Sequence, residues 1–201
     1  MSDDHHPPPP TLHIVTLGLM GTGKTVVAEA IAKRLGLAFS DNDRRLRRTV
    51  GLSAREIRET RGVRVLHKLE AQHLLDALAA PAPSIVASAA SVVEDSRCRA
   101  ALRAPGVFAV WLRASAETLA ARFHNEDHRP LFGNDPLQLF TDHIAARSAL
   151  FHEVSSAVVD VDGLSVAEVI AAAQAVVDAH LAQDARSVET AGAQRGQRPP
   201  A

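Results

Sequence analysis

Short apolar runs alternate with stretches of helical periodicity along most of the 201-residue chain. Leu12 to Leu17 is typical of a buried strand, and Lys24 to Leu35 carries apolar residues four apart, which predicts an amphipathic helix. Four further apolar runs predict strands at residues 37–40, 85–88, 107–112 and 157–161, with helical patterns between them. The alternation predicts an α/β fold of three layers, in which a five-stranded parallel sheet has helices on both faces.

Capping residues and breakers divide the helical patterns. Ser53 and Glu56 form the capping-box pattern of one helix, and Ser165 and Glu168 form that of a last helix, which we expect to end near Leu181. Residues 66–78, 96–104, 115–123 and 137–151 carry the remaining helical patterns. Residues 124–136 lose all periodicity and contain Gly, Pro, Asn and Asp, which predicts a loop long enough to act as a lid.

The two ends of the chain differ from its middle. Residues 1–10 and 187–201 are polar and rich in proline, with few bulky apolar side chains, so both are predicted to be disordered tails. Residues 11–186 are long enough to form one domain with a substantial core.

Composition narrows the class of protein. A net charge of -1 gives no general electrostatic reason to bind nucleic acid or an anionic membrane. No apolar run approaches the roughly 18 residues that a membrane span needs, and the single Cys98 cannot form an intramolecular disulfide. We therefore expect a cytoplasmic monomer without nucleic-acid or membrane partners.

A phosphate-binding motif follows the first predicted strand. Residues 18–25 read GLMGTGKT, a complete GxxxxGK[ST] loop that opens onto a helix. In such a loop, glycines let backbone amides surround phosphate oxygens, the lysine reaches the terminal phosphates and the threonine offers its hydroxyl to Mg²⁺. The loop residues expected to contact a nucleotide are Gly21, Thr22, Gly23, Lys24, Thr25 and Val26.

The class of nucleotide-binding protein follows from size and from missing motifs. The sequence has no Asn-Lys-x-Asp stretch to read guanine and no Leu-Ser-Gly-Gly signature of a transporter ATPase, and its length favours a small-molecule kinase. Asp41 and Asp43 follow the second predicted strand, where the first could bind Mg²⁺ and the second could accept a proton from an attacking hydroxyl. An Asx turn at the start of the next helix is the alternative interpretation.

Several pieces of the chain together resemble the shikimate kinase family over residues 12–182. They are GLMGTGKT, LGLAFSDND, TVGLSAREIRETRG, LHKLE, HRPLF in the predicted lid, RSALFHEVSSAVVDVDG and the capped last helix. The resemblance implies a P-loop kinase fold, ATP with Mg²⁺, and transfer of the γ-phosphoryl group to a hydroxyl of a small cyclic acid.

The same resemblance implies roles for individual residues. Thr25 and Asp41 would hold the metal, and Asp43 would bind and polarise the acceptor hydroxyl, with Lys24 as its catalytic partner. The HRPLF motif implies that Arg129 is a catalytic lid arginine that reaches the phosphates, with Arg122 as a second. Arg147 would bind a substrate carboxylate.

Two positions depart from the family pattern. His67 stands where the family has an arginine in F-R-x-x-E, and an imidazole cannot copy the bidentate grip of a guanidinium on a carboxylate. Ala89 and Ala90 stand where the family has three consecutive glycines, and their Cβ atoms take up space beside the acceptor. His67, Ala89 and Ala90 are therefore predicted to line a changed acceptor site.

Three functions remain open on the sequence. The first is a kinase whose acceptor pocket has been altered for another cyclitol, sugar acid or polyol. The second is an authentic shikimate kinase that makes shikimate 3-phosphate and tolerates His67. The third, from another class, is a nucleotide-binding protein without catalysis.

Overall fold

The computed structural model describes residues 12–81, 83–123 and 135–195, with backbone only for residues 187–195. In these residues the strands are β1 (His13–Leu17), β2 (Ala38–Asp41), β3 (Ser84–Ala87), β4 (Val107–Arg113) and β5 (Ala157–Asp160). The helices are α1 (Lys24–Leu35), α2 (Asn42–Val50), α3 (Ala54–Arg61), α4 (Val63–Ala79), α5 (Ser96–Leu102), α6 (Ala116–Ala121), α7 (Pro136–Val154) and α8 (Val166–Arg195). A short 3₁₀ helix covers Ala90–Glu94.

The five strands form one parallel sheet in the order β2-β3-β1-β4-β5. Ile14 of β1 is paired with Ile85 of β3 on one side and with Phe108 of β4 on the other. The three central strands lie mostly in the core, and every residue of β1 is buried, whereas the edge strands β2 and β5 are partly exposed. Such burial is expected of a parallel sheet that helices cover on both sides, and it explains the continuous apolar runs in the sequence.

The helices form two groups. Helix α1 packs against α8 and against β1 and β3, whereas α4, α5 and α7 form a second group through α4–α5 and α5–α7 contacts. Both groups share one apolar core with the sheet, which includes Ile31 of α1, Leu74 of α4 and Val177 of α8. The predicted three-layer α/β fold is confirmed.

The order of the strands places a crevice at the end of β1. After β1 the chain moves to β2 and β3 on one side of it, and later to β4 and β5 on the other. Ligands bind in open α/β sheets at this reversal of strand order, beyond the carboxyl ends of the strands. The loop of residues 18–23 fills that position between β1 and α1.

Gly18 lets this loop approach β4 closely. Its φ angle is +139°, and a Cβ atom added there would lie 2.5 Å from the Leu112 carbonyl oxygen, so only glycine fits without moving backbone. The turn is thereby seated against the end of β4.

A small second cluster of apolar side chains joins α2, α3 and α4. Leu46, Ala54, Ile57 and Leu66 are all buried together, and Ile57 is completely enclosed. These contacts fix α3 against the first turn of α4, which places the polar faces of both helices beside the crevice.

Some predictions about elements need correction, and others fall outside the described residues. The last helix continues to Arg195 instead of ending near Leu181, so the predicted disordered tail from residue 187 begins too early. Residues 182–195 lack apolar periodicity but are rich in Ala, Gln and Arg, which favour a helix. Residues 182–198 contain no proline that would end it. The 3₁₀ helix of residues 90–94 was not predicted. The tail of residues 1–10 and residues 124–134 of the predicted lid lie outside the described residues.

Asp135 and Pro136 mark the end of the predicted lid. The Asp135 carboxylate accepts a hydrogen bond from the Gln138 amide and caps α7, whose first residue is Pro136. Across the described residues, none of the helices has the length and apolar character to cross a lipid bilayer.

Candidate active site

A cavity of about 690 Å³ opens at the carboxyl ends of β1, β2 and β3. The phosphate-binding loop lines one end, which we call the nucleotide end. Helices α3, α4 and α7 and the residues after β3 line the other, which we call the acceptor end. The sequence-predicted residues on its wall are Gly21, Gly23, Lys24, Thr25, Val26, Asp41, Asp43, His67, Ala89, Ala90, Arg122 and Arg147.

Lys24 and Thr22 of the loop share one hydrogen-bond acceptor, the Leu19 carbonyl oxygen. Lys24 Nζ donates a hydrogen bond of 2.8 Å to the Leu19 carbonyl oxygen, which keeps the ammonium group over the loop. Thr22 does not lie on the cavity wall. It is buried, and its hydroxyl donates to the same Leu19 carbonyl over 2.9 Å, so its side chain closes the loop and is not available to a nucleotide.

The side chain of Asp41 serves α2 and faces Thr25 at the same time. Its Oδ1 accepts a 3.0 Å hydrogen bond from the Arg44 amide and caps α2, and its Oδ2 accepts a 2.9 Å hydrogen bond from the Thr25 hydroxyl. The Asx-type cap and the position beside the phosphate-binding loop are therefore compatible.

Thr25 and Asp41 fit a magnesium ion. Mg²⁺ prefers oxygen ligands and binds with one or two carboxylates, water and substrate phosphates, not in an all-protein cage. No group of three or more His, Cys, Asp or Glu side chains with metal-binding geometry occurs in the described parts of the chain. The Thr25 hydroxyl and the Asp41 carboxylate are in contact beside a phosphate-binding loop. They therefore suit a magnesium ion whose other ligands are water and substrate phosphates.

A partly buried chain of hydrogen bonds leads to Asp43. The Ser40 hydroxyl lies 2.8 Å from His73 Nε2, and His73 Nδ1 lies 3.3 Å from Asn42 Oδ1. Asn42 Nδ2 then donates to Asp43 Oδ1 over 3.2 Å. Burial, with the nearby Arg45 charge, lowers the pKa of His73, which favours the neutral ring. A neutral His73 that donates from Nδ1 and accepts at Nε2 satisfies every member of this chain.

Arg147 at the acceptor end is paired with a carboxylate. Its Nε donates a 2.6 Å hydrogen bond to Glu94 Oε1, and its side chain is only 13% exposed. Glu94 Oε2 also lies 3.5 Å from Nδ1 of His67. Burial lowers the pKa of His67, with Glu94 opposing this effect and Arg147 and Arg58 adding to it. His67 therefore supplies little positive charge at neutral pH.

Glu70 is a buried carboxyl group on the wall of the same end. Burial raises its pKa from 4.5 to about 7, although a hydrogen bond from the Ser91 hydroxyl acts in the opposite direction. Ser91 is the donor in this contact and is itself buried. Glu70 thus links α4 to the 3₁₀ helix.

The remaining predicted residues have mixed outcomes. Ala89 precedes the 3₁₀ helix and Ala90 begins it, so both lie on the wall at the acceptor end. Arg122 lines the cavity and uses Nη2 to donate to the carbonyl oxygens of Val161 and Leu164. Arg129 lies outside the described residues, so its role stays a prediction.

Sequence reasoning did not single out five residues at or beside this cavity. They are Arg58, His143, Glu94, Asn42 and His73. Arg58 follows the buried Ile57 on a helix with several arginines, so charge alone did not distinguish it from its neighbours. Asn42 stands between the two predicted functional aspartates, which is a signal that could have been used.

The fold and the site together define a P-loop kinase of small molecules. The family model described as shikimate kinase matches residues 20–178. A shikimate kinase of Symbiobacterium thermophilum is 34% identical over 163 residues, which cover 80% of this chain and 92% of the relative. The chain belongs to the shikimate kinase family, whose members are ATP-dependent phosphotransferases that act on a hydroxyl group and use Mg²⁺.

Other relatives and solved structures agree with the fold. A shikimate kinase of Caulobacter vibrioides is 34% identical over 141 residues, 70% of each chain. The structure of an Acinetobacter baumannii shikimate kinase in complex with shikimate has a TM-score of 0.78 at 24% identity, covering 87% of this chain and 96% of that one. A gluconokinase of Sinorhizobium meliloti has a TM-score of 0.63 at 25% identity, covering 91% and 98%.

The hydrogen-bond chain to Asp43 predicts a kinetic effect of Asn42→Ala. The change removes the donor to Asp43 Oδ1, and the loss of one positioning hydrogen bond should lower kcat about tenfold. The KM for ATP should stay within about twofold, because the contact between Thr25 and Asp41 is untouched. Steady-state kinetics at saturating acceptor measure both constants.

Ser40→Ala is the matched control for this variant. It removes the far end of the same chain without touching Asn42 or Asp43, so its kcat should fall less. Equal kcat values for Asn42→Ala and the unaltered protein would show that Asp43 does not need this support.

Glu70 predicts a pH dependence of stability. Its pKa is about 7 in the folded chain against 4.5 unfolded, so between these values only the folded state holds the proton. The free energy of unfolding should therefore fall as pH rises from about 4.5 to 7, and Glu70→Gln should lack this fall. Between pH 5 and pH 8 the free energy of unfolding of the unaltered protein should fall by about 2 kcal/mol more than that of the variant.

Urea unfolding of both proteins at the two pH values measures the difference. Glutamine keeps an oxygen that can accept the Ser91 hydrogen bond, so the variant isolates the titration. If the difference in free energy of unfolding between the unaltered protein and Glu70→Gln is the same at pH 5 and at pH 8, the raised pKa is contradicted.

Proposed function

We propose that this protein transfers the γ-phosphoryl group of ATP to a hydroxyl of shikimate. The observation that carries the proposal is that one cavity is lined by Lys24 and Thr25, by Asp43 and by Arg147. These groups suit a triphosphate, a reacting hydroxyl and an acceptor carboxylate bound together in one cavity. The names of the relatives and the shikimate complex of the Acinetobacter baumannii enzyme support the choice of acceptor.

The nucleotide end would bind and neutralise the phosphates. Gly21, Gly23, Lys24 and Thr25 line this end of the cavity, and in such loops the backbone amides and the lysine ammonium bind phosphate oxygens. Thr25 and Asp41 would hold Mg²⁺, which supplies charge neutralisation to the transferred group when bound. Because phosphoryl transfer depends mainly on positioning and charge, these groups account for most of the chemistry.

Asp43 would act on the acceptor hydroxyl. The hydroxyl oxygen forms a bond to the γ-phosphorus, the bond to the ADP oxygen breaks, and the hydroxyl proton passes to the Asp43 carboxylate. Asn42 holds one oxygen of Asp43 by its hydrogen bond, which leaves the other oxygen for the hydroxyl.

A second candidate function is phosphorylation of another hydroxy acid or polyol. Glu94 already pairs with Arg147, His67 replaces a guanidinium, and Ala89 adds a Cβ atom to the wall. The fold is also that of a gluconokinase, whose name denotes a sugar acid as acceptor. These observations support an acceptor pocket that has been altered.

A panel of acceptors distinguishes the two candidates. ADP release would be measured with Mg·ATP and shikimate, quinate, gluconate or inositol in turn. The proposal predicts that shikimate has the highest kcat/KM, with a KM in the range of about 1 μM to 1 mM that is usual for enzymes. An acceptor that exceeds shikimate tenfold in kcat/KM would replace it.

Two variants establish that the measured ADP release belongs to this site. Lys24→Ala should abolish turnover, and Asp43→Asn should abolish acceptor-dependent ADP release while ATP affinity changes little. Acceptor-dependent ADP release that Asp43→Asn leaves unchanged would refute the role of Asp43. ATP binding without any such release in the unaltered protein would instead favour a nucleotide-binding protein without catalysis. The monomeric state and the cytoplasmic location stay predictions.

A further inference from the structure

We propose that Arg58 is a carboxylate-binding residue of the acceptor site, and that it and Arg147 hold the acceptor's carboxylate from two sides. This inference rests on the proposed function, because it requires an acceptor that is an acid. It assigns acceptor recognition to a residue of α3 that neither the motifs nor the family pattern indicated.

The fold holds Arg58 in the required place. Ile57, next to it in α3, is fully enclosed in the cluster with Leu46 and Leu66, so α3 cannot shift easily against α4. Arg58 is half-buried and lines the cavity together with His67 of α4 and Arg147 of α7. Guanidinium groups from two helices thus border one space.

The charges of Arg58 and Arg147 both affect the pKa of the neighbouring His67 and His143. Burial is the main cause of the lowered pKa of His67 and of His143. The positive charges of Arg147 and Arg58 lower both pKa values further, whereas Glu94 opposes them. Both charges therefore act on the same small region at the acceptor end. Since the lowered pKa favours the neutral imidazoles, the two guanidinium groups are the cations that an acid would meet among the described residues at this end.

Glu94 explains why Arg147 alone is not enough. Its carboxylate occupies Nε of Arg147 and removes much of that cation's attraction for a second carboxylate. His67 adds at most one N–H donor and little charge. Arg58 offsets Glu94 and brings the planar, two-donor geometry that matches a carboxylate.

The other two arginines of α3, Arg55 and Arg61, do not line the cavity. Arg55 pairs with Glu59 within the helix over 3.0 Å, and Arg61 is exposed. Among the described residues that line the cavity, Arg58 is the arginine that α3 contributes. Arg61→Ala is therefore a control of the same residue type on the same helix.

The test compares an acid with its neutral ester in the full-length protein. Kinetics with Mg·ATP would use shikimate and methyl shikimate on the unaltered protein, Arg58→Ala, Arg58→Lys and Arg61→Ala. Arg58→Ala should raise the KM for shikimate at least 30-fold, the lower limit for loss of one partner of a buried charge pair. The KM for the ester and for ATP should change less than about threefold, because neither carries the carboxylate concerned.

The two further variants keep the result interpretable. Arg58→Lys keeps the charge without the fork, so it should raise the KM for shikimate by less than Arg58→Ala does, and it serves if the alanine variant does not fold. Arg61→Ala should match the unaltered protein with both acceptors. The deciding quantity is the ratio of the KM for shikimate to the KM for methyl shikimate. If this ratio in Arg58→Ala equals that in the unaltered protein, the proposal is overturned. If the alanine variant does not fold, the same comparison is made with Arg58→Lys.

The outcomes separate this inference from the proposed function. Turnover of shikimate that does not depend on Arg58 overturns the inference alone. Turnover of a different hydroxy acid that depends on Arg58 overturns shikimate as acceptor and supports the inference. Turnover of neutral polyols only overturns both.

Discussion

The hydrogen bond between the Thr25 hydroxyl and Asp41 Oδ2 joins the two halves of the site. Thr25 begins α1 beside the phosphate-binding loop, and Asp41 ends β2 and caps α2. The bond can form because parallel strands end at one edge of the sheet, and because Gly18 lets the loop lie against β4. Asp43, two residues further on, lines the same cavity.

The two ends of the cavity are built in different ways. The nucleotide end comes from one continuous segment of chain, whose geometry the glycines and the start of α1 determine. The acceptor end is assembled from α3, α4, the 3₁₀ helix and α7, which are far apart in sequence. Side chains at this end can change one at a time without disturbing the loop, so acceptor choice can vary within one fold.

These differences explain what the sequence could predict. The loop and the parallel sheet were predicted well, because GLMGTGKT and the buried apolar runs are local signals. The contact between Glu94 and Arg147 was not, since 53 positions separate them and no periodicity relates an acid to a distant arginine. The end of α8 was missed because its last turns rest on helix propensity and not on an apolar stripe.

Calorimetric titration of ADP, with and without Mg²⁺, tests the central claim most directly. The account predicts that Mg²⁺ tightens ADP binding to the unaltered protein and that Thr25→Val, which keeps the shape but loses the hydroxyl, removes most of this gain. Absence of ADP binding to the folded protein, or an equal effect of Mg²⁺ in the variant, would contradict it.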